Sequence, residues 1–180
     1  MPRLFTCVWI PKEIKDKILN LQKEMQNLPL KCKFVELENL HITITFIGDV
    51  RDGEVEKLKN KLDRTLKDIK KFHVNLEGLR VIPNENYIRV MGVEIRDEKN
   101  LLAELIKKVG NEIGGKYYEK QKVTLCRVKN VFDKGKIAEF IEKNRDIKIG
   151  LLDVDKVALV KSVLTRNGPV YETIHETPLK

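Results

Sequence analysis

Residues 41–48 read HITITFIG, and the alternation in that octet decides how the surrounding chain is read. Ile42 and Ile44 are β-branched residues spaced by two, the period of a strand whose side chains point alternately to opposite faces. The same period puts His41, Thr43 and Thr45 on one face and Ile42, Ile44 and Phe46 on the other. One of the chain's three histidines thus heads a polar face of hydroxyls, while the apolar face is ready to pack.

Outward from this strand, extended and helical patterns alternate without a linker rich in Pro, Gly or Ser. Residues 3–10 are apolar and β-prone. Pro11 then opens a helix to about Leu28, with Ile14, Ile18, Leu21 and Met25 on one stripe. Lys33 to Leu37 is a short strand. Asp52 to Ile69 forms an amphipathic helix through Val55, Leu58, Leu62 and Leu66. Phe72 to Ile82 and Tyr87 to Glu94 are strands joined by PNEN, a Pro-led turn that predicts a hairpin. A helix over 98–113 ends at Gly114-Gly115, followed by a strand over 122–128, a helix over 134–143, and strands over 147–151, 153–162 and 170–177. The last two strands are joined by TRNGP. Tight turns between neighbouring strands imply antiparallel pairing, and helices must cover one face of each sheet, so the expected class is α+β.

The composition sets the bounds. A chain of 180 residues, 42% of them hydrophobic, can bury one substantial core, either as one domain or as two small intertwined lobes. No run of about 18 apolar residues is available to cross a bilayer. The opening MPRLFTCVWI leads into a strand pattern rather than a signal peptide, so a cytoplasmic protein is expected. Cys7, Cys32 and Cys126 have neither metal-type nor redox-type spacing, which predicts reduced thiols, no disulfide and no zinc. The 35 basic and 27 acidic residues leave a net charge of +8, which favours a polyanionic partner. The same Lys- and Glu-rich surface also suits a heat-adapted protein whose lysines only solvate helix faces, and charge alone favours that plainer reading.

HITITFIG has a partner in KVTLCRVK at 122–129. Both are strand-like, with an apolar residue second and Thr third, and they lie nearly half the chain apart. ENLHITITFIG at 38–48, PNENYIRV at 83–90, VTLCRVK at 123–129 and KSVLTRNGPVYE at 161–172 resemble, in order and spacing, the two-histidine (2H) phosphoesterases. The resemblance is greatest to the branch of RNA 2′,3′-cyclic phosphodiesterases historically called 2′-5′ RNA ligases, and it spans nearly the whole chain. It implies a bilobal, pseudo-twofold duplication: residues 1–180 as a single domain of two intertwined lobes, with two antiparallel sheets facing a central cleft and helices outside.

The resemblance also implies metal-free, cofactor-free hydrolysis of 2′,3′-cyclic phosphate ends to 2′-phosphates, and by reversal 2′-5′ joining of RNA. Its substrates are RNA ends, its site does not involve a membrane, and a monomer is expected. Opening the ring needs a base for water, an acid for the leaving oxygen and donors for the phosphate oxygens. His41 supplies one proton carrier, Thr43 and Thr124 supply hydroxyl donors, and Arg127 clamps the anion if a bulge brings it to the face of Thr124. The second motif departs from the family by placing Lys122 where a histidine is expected. A lysine of ordinary pKa, about 10.4, stabilises a phosphate but is a poor proton donor at neutral pH. The catalytic pair is therefore His41 and Lys122. Two readings stay open: a working phosphodiesterase, weakened or not by Lys122, and an impaired relative that binds RNA phosphate ends. A protein that uses the scaffold only for interactions is disfavoured by the retention of His41, Thr43, Thr124 and Arg127. His73 reads as an ordinary strand residue. His175, in a second formal His-x-Thr at 175–177, lies outside the symmetric pair and is a remote candidate to replace the missing histidine.

Overall fold

A computed structural model describes residues 1–180. Its elements are β1 (Arg3–Trp9), α1 (Lys12–Met25), β2 (Leu30–Phe34), β3 (His41–Asp49), α2 (Val55–Leu66), β4 (Phe72–Asn84), β5 (Tyr87–Arg96), α3 (Leu101–Ile113), β6 (Lys122–Val131), α4 (Lys134–Lys143), β7 (Lys148–Val154), β8 (Lys156–Thr165) and β9 (Gly168–Pro178). The strands form two antiparallel sheets, ordered β3-β1-β8-β9 and β2-β6-β5-β4-β7, so the class is α+β as expected. The chain passes back and forth between the sheets, since β2 belongs to the five-stranded sheet while its neighbours in sequence, β1 and β3, pair in the other. No helix is long and apolar enough to cross a membrane.

The stripe read on the first helix is buried at Ile14, Ile18, Leu21 and Met25, and α1 packs on β7. α2 lies against α3 and β9, and α3 against β3. Helices thus cover the rear of both sheets, and one core of 33 buried residues runs beneath them. A second cluster is much smaller. Phe5, Cys7, Ala158 and Val160, with Trp9 and Tyr171 packed against them, form the front of the four-stranded sheet. Burying that apolar front without a helix over it leaves a firm floor for whatever sits above.

Several boundaries differ from the sequence reading. The second strand is Leu30–Phe34 rather than 33–37, because Leu37–Asn39 closes into a 3₁₀ turn that delivers the chain to His41. The first helix stops at Met25, and α3 starts at Leu101, where the Asp97 carboxylate accepts from Ala103 N–H at 3.0 Å. The PNEN hairpin is present, with Asn84 Oδ1 accepting from the backbone of Asn86 and Tyr87.

Candidate active site

Both motif strands contain a bulge at the same place. In β3, Thr43 pairs with Cys7 and Thr45 with Thr6, leaving Ile44 as the extra residue. In β6, Thr124 pairs with Gly92 and Cys126 with Met91, leaving Leu125 extra. Each inserted residue directly follows the motif threonine and reverses the facing of the residues after it, in β3 as far as a second irregularity at Ile47. His41 and Thr43 are therefore joined in the cleft by Phe46, while Lys122 and Thr124 are joined by Arg127. The parity objection to Arg127 is removed by the bulge.

The same device corrects two assignments on the first strand. Strict alternation put Thr45 beside His41 and Phe46 with the core. Instead Thr45 is completely buried, its hydroxyl 2.9 Å from that of Thr6 and its N–H donating to Thr6 Oγ1 at 3.1 Å, while Phe46 is 48% exposed on the cleft wall. Of the apolar residues of the octet, Ile42 and Ile44 are fully buried.

His41 is held from both sides of its ring. Nδ1–H donates to the Asn39 carbonyl at 2.6 Å, and Asn39 is itself anchored by Nδ2–H to the Pro169 carbonyl at 3.1 Å. Since a carbonyl can only accept, the neutral imidazole keeps its lone pair on Nε2, which lies 3.0 Å from Thr43 Oγ1. Phe5, Trp9 and Tyr171 surround the ring at centroid distances of 5.2, 5.7 and 5.6 Å. This burial pushes the imidazole pKa below 6.5, against an opposing contribution from the Asn39 bond. His41 is accordingly neutral at pH 7.

Across the cleft, Lys122 is half-buried on β6. Burial, then the positive charges of Arg80 and Arg127, push its pKa below the usual 10.5. Space for its chain comes from Gly92 on β5: a Cβ there would stand 2.7 Å from the Val123 carbonyl oxygen and 3.4 Å from Lys122 Cδ. Gly92→Ala is expected to spread β5 from β6 and to cost about 1–3 kcal/mol of stability, read as a lowered denaturation midpoint. A midpoint equal to that of the parent protein would show that the strands absorb the methyl.

The two walls enclose a cleft of about 440 Å³ that also exposes Lys33, Tyr118, Asn167 and Tyr171. Lys33 Nζ donates to the Asn167 carbonyl at 3.3 Å. Together with the Asn39 bond to Pro169, this ties the β8–β9 hairpin across to the β2 side of the cleft. Burial raises the Tyr171 pKa although Arg127 opposes it, so the phenol stays protonated as a donor. These residues escaped the sequence reading because no local pattern marks them. Asn39 lies in a turn, and Tyr171 reaches the site only through β8–β9 pairing.

The remaining histidines lie elsewhere. His175 pairs with Leu159 of the core, and its Nε2–H donates to Asp63 of α2 at 2.7 Å, beside Thr177. It tethers a helix to the rear of the sheet and does not replace the second histidine. His73 sits on an exposed position of β4. Cys7 and Cys126 are buried, and desolvation pushes both thiols upward. No group of three or more His, Cys, Asp or Glu is gathered as a metal site would require.

Residues 8–91 match the family model described as LigT-like phosphoesterase. The RNA 2′,3′-cyclic phosphodiesterase of Methanocaldococcus jannaschii is 35% identical over 97% of this chain and 99% of that protein. The protein of that name from Aquifex aeolicus is 31% identical over 97% and 95%. Among solved structures, one from Thermus thermophilus aligns with a TM-score of 0.77 at 22% identity over 98% of this chain and 97% of that one. Escherichia coli LigT complexed with phosphate aligns with a TM-score of 0.74 at 19% identity over 99% and 98%. Those structural likenesses establish the shared fold, and the sequence identities along nearly the full length establish kinship: the chain belongs to the 2H phosphoesterase superfamily, in its LigT-like, RNA 2′,3′-cyclic phosphodiesterase branch.

Proposed function

We propose that this protein hydrolyses 2′,3′-cyclic phosphates at RNA ends to 2′-phosphates, with His41 and Lys122 as its proton carriers. The observation that carries the reading is the pair of equivalently bulged strands. One presents His41 and Thr43 and the other Lys122, Thr124 and Arg127 to a single cleft. The names of the full-length relatives support RNA as the substrate class.

In this mechanism the cyclic phosphate sits between the walls, its free oxygens taking hydrogen bonds from Thr43, Thr124 and Arg127. Neutral His41 Nε2 removes a proton from water as the water oxygen attacks phosphorus. The bond from phosphorus to the 3′-oxygen breaks, and Lys122 gives its proton to that oxygen. The products are a 2′-phosphate and a 3′-hydroxyl, and exchange with solvent restores both side chains. The causes acting on Lys122 all make its ammonium a stronger acid than an ordinary lysine, and the Asn39 bond fixes the tautomer that a base requires. With the 5′-hydroxyl of a second RNA in place of the water, the same attack on the cyclic phosphate breaks the bond to the 3′-oxygen and leaves a 2′-5′ phosphodiester and a 3′-hydroxyl.

The substitution at Lys122 favours one competing reading, an impaired relative that holds RNA phosphate ends without turnover. Incubation with cytidine 2′,3′-cyclic phosphate separates the two, with cytidine 2′-phosphate as the expected product. Formation of the 3′-isomer would overturn the assigned geometry, and absence of hydrolysis would leave the binding role. For either role, affinity for a phosphate-ended oligoribonucleotide is expected to fall linearly on a logarithmic salt scale as counterions are released. Affinity that ignores both salt and the end phosphate would remove the RNA reading.

A further inference from the structure

Arg80 lies outside the cleft proper but belongs to the same open face of the five-stranded sheet. It pairs with Gly92 on β5, and Gly92 pairs with Thr124 on β6, so the three residues form one row across the strands with their side-chain positions facing the same way. The middle member has no side chain. Two strand spacings, roughly 10 Å, therefore separate Arg80 from Thr124 with only a glycine between them, and Lys122 leans over that gap from the far side. The positive charge of Arg80 is felt at Lys122 more strongly than that of Arg127.

The guanidinium is also unclaimed. Arg3, Arg96 and Arg145 each hold carboxylates, whereas Arg80 makes no ion pair or side-chain hydrogen bond. The acids of β4 and β5 are engaged elsewhere: Glu94 with Lys120 at 3.5 Å and Glu77 with Arg96 at 3.0 Å. A half-buried arginine beside a second cation, with no acid of its own, is arranged for an anion supplied from outside.

We infer that Arg80 binds a second phosphate of the RNA, the one on the 5′ side of the terminal nucleoside, so that the preferred substrate is an oligoribonucleotide end rather than a free cyclic mononucleotide. The inference rests on the reading of the cleft as the site of the reacting phosphate. With that phosphate between His41 and Lys122, the row through Gly92 is the open path along which the rest of the strand leaves, and Arg80 stands at the end of it.

The test compares adenosine 2′-phosphate with adenosine 2′,5′-bisphosphate by titration calorimetry, in the parent protein and in Arg80→Ala and Arg80→Lys. The parent is expected to bind the bisphosphate about 10- to 100-fold more tightly, the worth of a hydrogen bond to a charged group. Arg80→Ala should erase that preference, and Arg80→Lys should keep part of it. Taking the ratio of the two ligands cancels any effect that Arg80 exerts through Lys122, because both ligands meet Lys122 alike. A parent without the preference, or an Arg80→Ala variant that retains it, overturns the inference. Binding is read without turnover, so a protein that hydrolyses nothing but shows an Arg80-dependent preference would refute the catalytic reading and leave the subsite standing. Full turnover of cyclic phosphates with no such preference would do the reverse.

Discussion

His41→Ala is expected to lower kcat for a nucleoside 2′,3′-cyclic phosphate by about 10² to 10⁴, the usual cost of removing a general base, with little change in KM. The reason lies in how few things His41 does. Its ring contributes to the aromatic cluster, but the floor of Phe5, Cys7, Ala158 and Val160 closes without it, so the fold should survive. In the proposed mechanism phosphate is held chiefly from Thr43, Thr124 and Arg127, so ground-state binding should survive as well. In the parent protein the acid limb of the rate profile should report His41. Activity needs the neutral ring, so it is lost as pH falls through a pKa that burial has placed below 6.5. The same depressed pKa makes the folded state favour the unprotonated ring, so His41 contributes stability above pH 6.5 that is lost as pH falls through the folded value. Unchanged turnover in His41→Ala, or an acid limb that survives it, would place the base elsewhere.

Lys122→His is expected to raise turnover near pH 7 by about tenfold, because an acid whose pKa lies near the working pH transfers its proton more readily. The alkaline limb should move down to about 6.5 to 7, since activity that needs the protonated acid falls as pH rises through its pKa. The plateau then narrows into a bell. Loss of the fixed charge should weaken phosphate binding at the same time, so KM and kcat must be measured separately. Lys122→Met serves as the control that removes proton and charge together, with an expected loss of about 10² to 10⁴. If Lys122→His proves no faster than the parent while His41 is essential, then burial, Arg80 and Arg127 have already tuned the lysine to its task, and it is no impairment.

These expectations draw on two sources of information. The amino-acid sequence by itself determined the class of fold, because periods of 3.6 and 2 are local properties that each segment carries alone: the stripe Ile14, Ile18, Leu21, Met25 could only be a helix face, and Ile42 and Ile44 could only be turned inward. It also determined which residues were candidates, through the matched segments beginning at His41 and Lys122. Only the tertiary structure decided where those residues point. A bulge is a property of a strand pair rather than of a strand, and nothing within HITITFIG announces that Ile44 is surplus against β1 or that Leu125 is surplus against β5. Those insertions sent Thr45 into the interior to meet Thr6, turned Phe46 outward and brought Arg127 round to Thr124. The protonation of the site was equally out of reach. The depressed pKa of His41 comes from burial among rings that β1 and β9 supply, and that of Lys122 from burial and from an arginine two strands away across a glycine. Residue identity fixes an ordinary pKa, but desolvation and neighbouring charge set the working one, and both exist only once distant segments have packed together.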